Sequence, residues 1–311
     1  MQGVLLDAAS LGEGVDFTPL KAQLSELKIW PTTQPEEVIA RIQDAEAIIV
    51  NKVVLDRTAL QAAKNLKAIC VLATGLNNID LKAAEELGIQ VFNVQAYGTA
   101  SVAQHTLTLL LALATRLPLY QKSVAAGEWQ NSPFFCLMQH PVTQLSGKKL
   151  LLVGHGELGK EVERLTSALG MQVMIAARPG KTEDTRQPFA ELLPQADAVS
   201  FHCPLTEETR DLLNAENLKT AKPDLLVVNA ARGGIVNEEE TLQALREERI
   251  GGLAVDVLTQ EPPKDGNPLL DALQEKLNLI VTPHSAWITP EARQKILELT
   301  AENLAKARAG R

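Results

Sequence analysis

Lys149-Leu-Leu-Leu-Val-Gly-His-Gly-Glu-Leu-Gly-Lys-Glu-Val-Glu-Arg-Leu165 is the stretch on which the fold turns. An apolar run, Leu150 to Val153, reads as a buried strand, and Lys160 to Leu165 reads as a helix. Between them stands Gly154-His-Gly-Glu-Leu-Gly159, which fits GxGxxG. Alone that pattern is weak. Placed after a strand and opening a helix, it is the fingerprint of a dinucleotide-binding turn. Gly154 permits the tight turn, Gly156 lets the backbone approach a pyrophosphate, and Gly159 lets helix and strand pack closely. Glu157 and Leu158 open the helix, where free N–H groups and a partial positive charge favour phosphate.

Outward from this stretch, strands and helices alternate. Strands are expected at Val4–Leu6, Ala47–Val50, Leu66–Ala73 and Ile89–Val94, with helices from Pro35 to about Asp44, from Asp56 to Ala63 and from Asp80 to Leu87. After the cradle come strands 172–176, 198–202, 225–229, 252–257 and 279–282, with helices near 189–193, 214–218 and 238–249, and a last helix from Pro290 to about Ala309. Apolar strands separated by amphipathic helices argue for parallel sheets covered on both faces. A helix from about Thr99 to Arg116 carries apolar residues so densely that it is expected between layers. The segment Ala125 to Ser146 has no clear period; it reads as an arm that packs on a partner subunit or as a loose surface loop.

Composition narrows the partners. The chain has 311 residues, enough for two domains, with 45% hydrophobic and 22% charged residues. Its net charge of -8, its 4% aromatic content and the lack of a Lys/Arg run argue against nucleic acid and anionic membranes. The most apolar run, Leu107 to Ala114, is too short to span a bilayer, and the start lacks a signal-peptide pattern, so cytoplasm is the expected compartment. Cys70, Cys136 and Cys203 form no CxxC pair and read as buried thiols. His105, His140, His155 and His202 have no partners at metal spacing, so no metal is expected.

Three polar residues follow predicted strand ends. Leu225–Asn229 leads to Ala230-Ala-Arg232, Gly252–Asp256 leads to Leu258-Thr-Gln-Glu261, and Leu279–Thr282 leads to Pro283-His284. Ligands bind outside the carboxyl ends of strands in open parallel sheets. Arg232 suits a substrate carboxylate, His284 suits proton transfer to or from a carbonyl oxygen, and Glu261 suits holding the imidazole in its charged form. Each alone has a structural reading; the three together point to hydride transfer with a small 2-keto or 2-hydroxy acid. Cofactor choice is read from Val173-Met-Ile-Ala-Ala-Arg178. No carboxylate closes this strand; Ala177 takes that place and Arg178 follows, which favours NADP(H), with NAD(H) as the alternative.

The chain resembles the D-isomer-specific 2-hydroxyacid dehydrogenases, and within them bacterial glycerate dehydrogenases, also called hydroxypyruvate or glyoxylate reductases. Ala73-Thr-Gly-Leu-Asn-Asn-Ile-Asp80, Ser101-Val-Ala-Gln-His105, Gly154 to Gly159, His202-Cys-Pro-Leu205, Asn229-Ala-Ala-Arg-Gly233, Asp256-Val-Leu-Thr-Gln-Glu-Pro262 and Thr282-Pro-His-Ser-Ala-Trp287 carry the likeness. It implies an α/β protein of two Rossmann-like, doubly wound parallel-sheet domains with a cleft between them. Residues 1–98 with 286–311 would form the substrate domain and residues 99–285 the dinucleotide domain. It implies substrate contacts from Asn51, Lys52, Thr74 and Gly75, besides Arg232 and His284. It implies cofactor contacts from Cys203, Pro204, Ala230, Ala231, Asp256 and Thr106, and a homodimer. The alternative is an NAD(P)-sensing binding protein of the corepressor type on the same fold.

Overall fold

The structure, a computed structural model, describes residues 1–181 and 183–310. The chain divides into two compact units, residues 1–98 with 287–311, and residues 99–286.

In chain order the first unit contains β1 (Gln2–Leu5), α1 (Thr18–Lys21), β2 (Glu26–Ile29), α2 (Val38–Ile42), β3 (Ala47–Val50), α3 (Arg57–Ala62), β4 (Ala68–Val71), α4 (Leu81–Glu86) and β5 (Gln90–Phe92). Its parallel sheet has the order β2-β1-β3-β4-β5. The inner strands β3 and β4 are buried on both faces, as their unbroken apolar sequences require. Ile48 and Ile69 face α2 and α3, packing with Ile42 and Leu60. Ile49 and Cys70 face the other way, against Ile296 and Leu304 of the last helix (Pro290–Arg308). Each fully buried Ile or Leu here contributes roughly 1.5–3 kcal/mol relative to exposure. Asp56 caps α3 by accepting from Ala59 N at 2.8 Å, as read from sequence. The strand β2 was not anticipated. It lies at the sheet edge, and its Glu-Leu-Lys-Ile sequence alternates polar and apolar instead of forming an apolar run.

The second unit begins with α5 (Thr99–Ala114) and α6 (Leu117–Ala125). Then follow β6 (Lys149–Val153), α7 (Glu157–Ala168), β7 (Gln172–Ile175), α8 (Phe189–Leu192), β8 (Ala198–Phe201), α9 (Ala215–Leu218), β9 (Leu226–Asn229), α10 (Glu238–Arg246), β10 (Gly252–Val255), α11 (Pro268–Asp271) and β11 (Leu279–Val281). The parallel order is β11-β10-β9-β8-β6-β7. Successive strands step outward in opposite directions from the β6–β8 boundary, so the crevice at the carboxyl ends of those two strands is the switch point of the sheet. In the first unit the same reversal falls between β1 and β3.

Three sequence expectations change. The helix α5 buries Leu109, Leu110 and Leu113 in the core of its own unit, but Leu111 is 39% exposed, so within this unit it is covered on one face only. Arg116 adopts φ 54° and breaks the helix, and Pro118 starts α6, a helix not foreseen ahead of the arm. Cys136 is half-buried, unlike Cys70 and Cys203. No helix among the described residues is long and apolar enough to cross a membrane.

Candidate active site

The cradle is set by packing. Gly154 has φ 98°, and a Cβ there would meet His202 O at 2.5 Å, so the turn after β6 lies directly on the end of β8. A Cβ on Gly159 would collide with Gly154 O, which is why helix α7 can start so close under the turn. Gly156 differs: a Cβ there would meet nothing within 4 Å. Protein packing does not ask for glycine at 156, and the open space above a helix N-terminus is what a pyrophosphate needs. The residues therefore fit a dinucleotide. Glu157 is exposed and its Oε1 accepts from Thr99 Oγ1 at 2.8 Å, while Leu158 is half-buried. Cys203 borders the cradle, its thiol pushed up to about 11 by burial despite its own backbone N–H, which keeps it protonated. His155 pairs with Glu163 at 2.6 Å on the next turn of α7.

The three candidate catalytic residues leave β9, β10 and β11, which are neighbours in the sheet. His284 Nδ1 lies 2.7 Å from Glu261 Oε2. Glu261 Oε1 accepts from Leu258 N at 2.9 Å, so both carboxylate oxygens are held. Burial pushes the Glu261 carboxyl up, but hydrogen bonds from His284 and Leu258 N, with the His284 charge, outweigh it and hold the group below the usual glutamate range. His284 Nε2 has no protein partner among the described residues, which leaves it for a ligand. The Arg232 side chain is exposed, its Nη1 donating to Ala231 O at 2.6 Å. Asn229 fixes this turn from both sides, donating to Arg232 O at 2.9 Å and accepting from Ala231 N at 3.1 Å. Gly233 then presses on the Glu261 connection so closely that a Cβ would collide with Leu258 O. Ala230, Ala231 and Cys203 are buried and Pro204 is exposed.

Asp256 and Thr106 are both deeply buried. Asp256 is 1% exposed. Its Oδ1 accepts from Thr282 Oγ1 at 2.6 Å and Ser285 N at 2.9 Å, its Oδ2 from Ala286 N at 3.0 Å, and its backbone O from His284 N at 2.7 Å. His105 Nε2 approaches Oδ1 at 3.4 Å. Burial raises this carboxyl, yet the bonds from His105, Thr282, Ala286 and Ser285 bring it below the ordinary range, so it stays ionised. It therefore pins the turn on which His284 sits at φ 53°. Thr106 is 1% exposed and donates to Val102 O at 2.8 Å on its own helix.

In the first unit, Asn51 and Lys52 follow β3 at that sheet's switch point. Asp7, 6% exposed, accepts from Asn51 N at 2.9 Å, Lys52 N at 2.6 Å and Val53 N at 3.3 Å. Thr74 follows β4; its hydroxyl donates to Val94 O at 3.0 Å and its carbonyl accepts from Asn93 Nδ2 at 2.7 Å. A Cβ on Gly75 would meet nothing within 4 Å, so that turn too has open space.

The sequence profile described as "D-isomer specific 2-hydroxyacid dehydrogenase, NAD binding domain" matches residues 107–286. A glycerate dehydrogenase from Methylorubrum extorquens is 39% identical over 99% of this chain and 96% of its own length. The chain belongs to the D-isomer-specific 2-hydroxyacid dehydrogenase family. A hydroxypyruvate reductase from Blautia hydrogenotrophica is 34% identical over 98% of this chain and 96% of its own. The crystal structure of the TT0316 protein from Thermus thermophilus superposes with a TM-score of 0.83 at 30% identity, covering 100% of this chain and 98% of that one. The protein is thus an NAD-binding oxidoreductase that transfers hydride to or from a small 2-keto or 2-hydroxy acid.

This dehydrogenase also has a two-arginine corner that sequence reading saw only in part. After β7, Arg178 donates to Asp184 Oδ2 through its backbone N at 2.9 Å and its Nε at 3.3 Å. Arg186 donates to the same carboxylate through Nε at 2.9 Å and Nη2 at 2.5 Å. The Arg186 guanidinium and the Arg178 backbone hold the Asp184 carboxyl well below the usual range, against the small opposing pull of desolvation. Asp184 and Arg186 escaped the sequence reading because they lie six and eight residues beyond Arg178, and only the folded loop brings all three together.

Proposed function

We propose that this chain reduces hydroxypyruvate and glyoxylate, to D-glycerate and glycolate, with NADPH preferred over NADH. The reading rests on the 2.7 Å contact between His284 and Glu261, on the connection next to the one carrying Arg232. The cofactor, when bound over the Gly154–Gly159 cradle, supplies the hydride for C2 of the keto acid. Arg232 holds the substrate carboxylate and draws charge from the adjoining carbonyl. His284 Nε2 gives its proton to the carbonyl oxygen as the hydride arrives, and Glu261 steadies the imidazolium before transfer. In oxidation the same nitrogen accepts the hydroxyl proton. Asn51, Lys52, Thr74 and Gly75 are assigned to the substrate, with Asp7 fixing the 51–53 turn. Gly154, Gly156, Glu157, Leu158, Gly159, Cys203, Pro204, Ala230, Ala231, Thr106 and Asp256 are assigned to the cofactor, with Asp256 also bracing the His284 turn.

The NADP preference is supported by Arg178 and Arg186, two guanidiniums that share one carboxylate and leave a net positive charge where an adenine ribose 2′-phosphate would lie. Steady-state rates with NADPH and NADH against hydroxypyruvate, glyoxylate and pyruvate test both parts. The expected order has hydroxypyruvate and glyoxylate above pyruvate and NADPH above NADH, and Arg178→Ala is expected to cut the NADPH/NADH ratio of kcat/KM by about tenfold, the value of one charge-assisted bond. Preference for NADH in the unaltered enzyme would remove the 2′-phosphate reading; failure to turn over any of the three acids would remove the substrate reading.

A homodimer through the 125–146 arm belongs to the same proposal. The arm is internally ordered, with Trp129 Nε1 donating to Phe135 O at 2.9 Å and Tyr120 to His140 O at 2.9 Å. Yet Phe134, Phe135 and Met138 are 67%, 91% and 78% exposed, an apolar group of a kind that marks interaction sites. In sedimentation experiments the enzyme is expected as a dimer and Phe135→Asp as a monomer; an unaltered association state in that variant would place the interface elsewhere.

A further inference from the structure

Glu238 is the first residue of α10 and lies half-buried, six positions after Arg232 on the same connection. Its Oε1 accepts from Thr259 N at 2.6 Å and from Thr259 Oγ1 at 2.8 Å. Its Oε2 accepts from Asn267 Nδ2 at 2.6 Å, while Asn267 Oδ1 caps α11 by accepting from Leu269 N at 2.9 Å. One carboxylate thus holds both ends of the loop that carries Glu261. Thr259 stands two residues before Glu261, and Leu258, whose N–H fixes Glu261 Oε1, is its chain neighbour. Gly233 abuts Leu258 from the same connection as Glu238.

A plainer account would have Glu238 serve the helix dipole alone. Glu238, Glu239 and Glu240 all occupy the first turn of α10, and any of them satisfies that role. Glu239 is exposed and Glu240 accepts from Ala215 N at 2.6 Å. Among these three only Glu238 reaches the Glu261 loop, and the dipole asks for none of its bonds there.

We propose that Glu238 is a positioning residue for proton transfer: by fixing Thr259 and Asn267 it sets the reach of Glu261 to His284, and so couples the arginine-bearing connection to the histidine's carboxylate. This rests on the roles of Glu261 and His284 given above. Glu238→Ala frees Thr259 and lets the 258–261 turn relax away from His284. Its kcat for hydroxypyruvate is expected to fall by about tenfold to a hundredfold, the usual cost of misplacing a catalytic group by an ångström. NADPH affinity, followed by fluorescence, should not change. Glu238→Gln keeps an acceptor oxygen for Thr259 and is expected to recover most of the rate, which also covers the case of a poorly folding alanine variant.

The deciding measurement is the cycle with Glu261→Gln. If Glu238 acts through Glu261, then Glu238→Ala adds little to the loss already caused by Glu261→Gln. A full additional loss in that background, no recovery of rate in Glu238→Gln, or weakened NADPH binding in parallel with kcat would overturn the proposal. An unaltered kcat in Glu261→Gln alone would instead remove the underlying assignment of Glu261, a separate result.

Discussion

With His284 replaced by asparagine, kcat for reduction of hydroxypyruvate is expected to fall by about 10²–10⁴-fold, the contribution of a placed general acid. Asparagine suits the test because His284 sits at φ 53°, and asparagine tolerates the left-handed region better than most residues. Its amide keeps a donor for Glu261, so the carboxylate is not left bare. What disappears is the transferable proton. NADPH binding should remain at the unaltered value, since the cradle lies on β6 and α7 and not on this turn. The pH response carries a sign. The folded-state value of the Glu261 carboxyl is depressed, so the stabilisation from its ionised form is present above the ordinary glutamate value. It is lost only as pH falls through the lowered value. Acid should therefore switch off the unaltered enzyme below, not at, the usual carboxylate range. If His284→Asn retained the full kcat, some other group would have to donate the proton.

What the sequence made legible is what depends on short spacing. The cradle is local: a strand, three glycines and a helix within seventeen residues, and each glycine's task follows from its place in the turn. The inner strands could be found because burial on both faces demands unbroken apolar runs. Arg232, Glu261 and His284 could be found because each follows such a strand. The edge strand β2 escaped because half of its side chains face solvent. Asp7, Asp184, Arg186 and Glu238 escaped for another reason. Their partners lie up to forty-six residues away, and a carboxylate that holds a turn looks, in sequence, like any solvated acid. Asp256 was singled out in sequence, but its bonds to the loop bearing His284, twenty-nine and thirty residues on, were not visible there. The proposed trio stands where sequence can point, at the ends of apolar strands, whereas most of the groups that hold those turns could not be read.

Replacing Arg232 by alanine is expected to lower kcat/KM for hydroxypyruvate by about 10²–10³-fold, comparable to removing one oriented donor from a charge-stabilising site. The loss should divide between the two constants. KM rises because the substrate carboxylate loses a charge-assisted partner, and kcat falls because the carbonyl is no longer polarised by an adjacent guanidinium. Lysine should not restore the rate. Its ammonium is a point charge, whereas the guanidinium presents a planar fork that matches a carboxylate. The scaffold supports a clean interpretation: the Arg232 side chain is exposed, and the turn is held by Asn229 through backbone atoms that survive the substitution. Stability should therefore move little, and thermal unfolding of the variant provides the control. A substrate whose carboxylate is replaced by a neutral amide adds the sharpest comparison. The unaltered enzyme should discriminate against the amide by a large factor and Arg232→Ala should not, because the arginine is then absent from both reactions. Undiminished discrimination in the variant would assign carboxylate recognition to other residues, with Lys52 the first to substitute next.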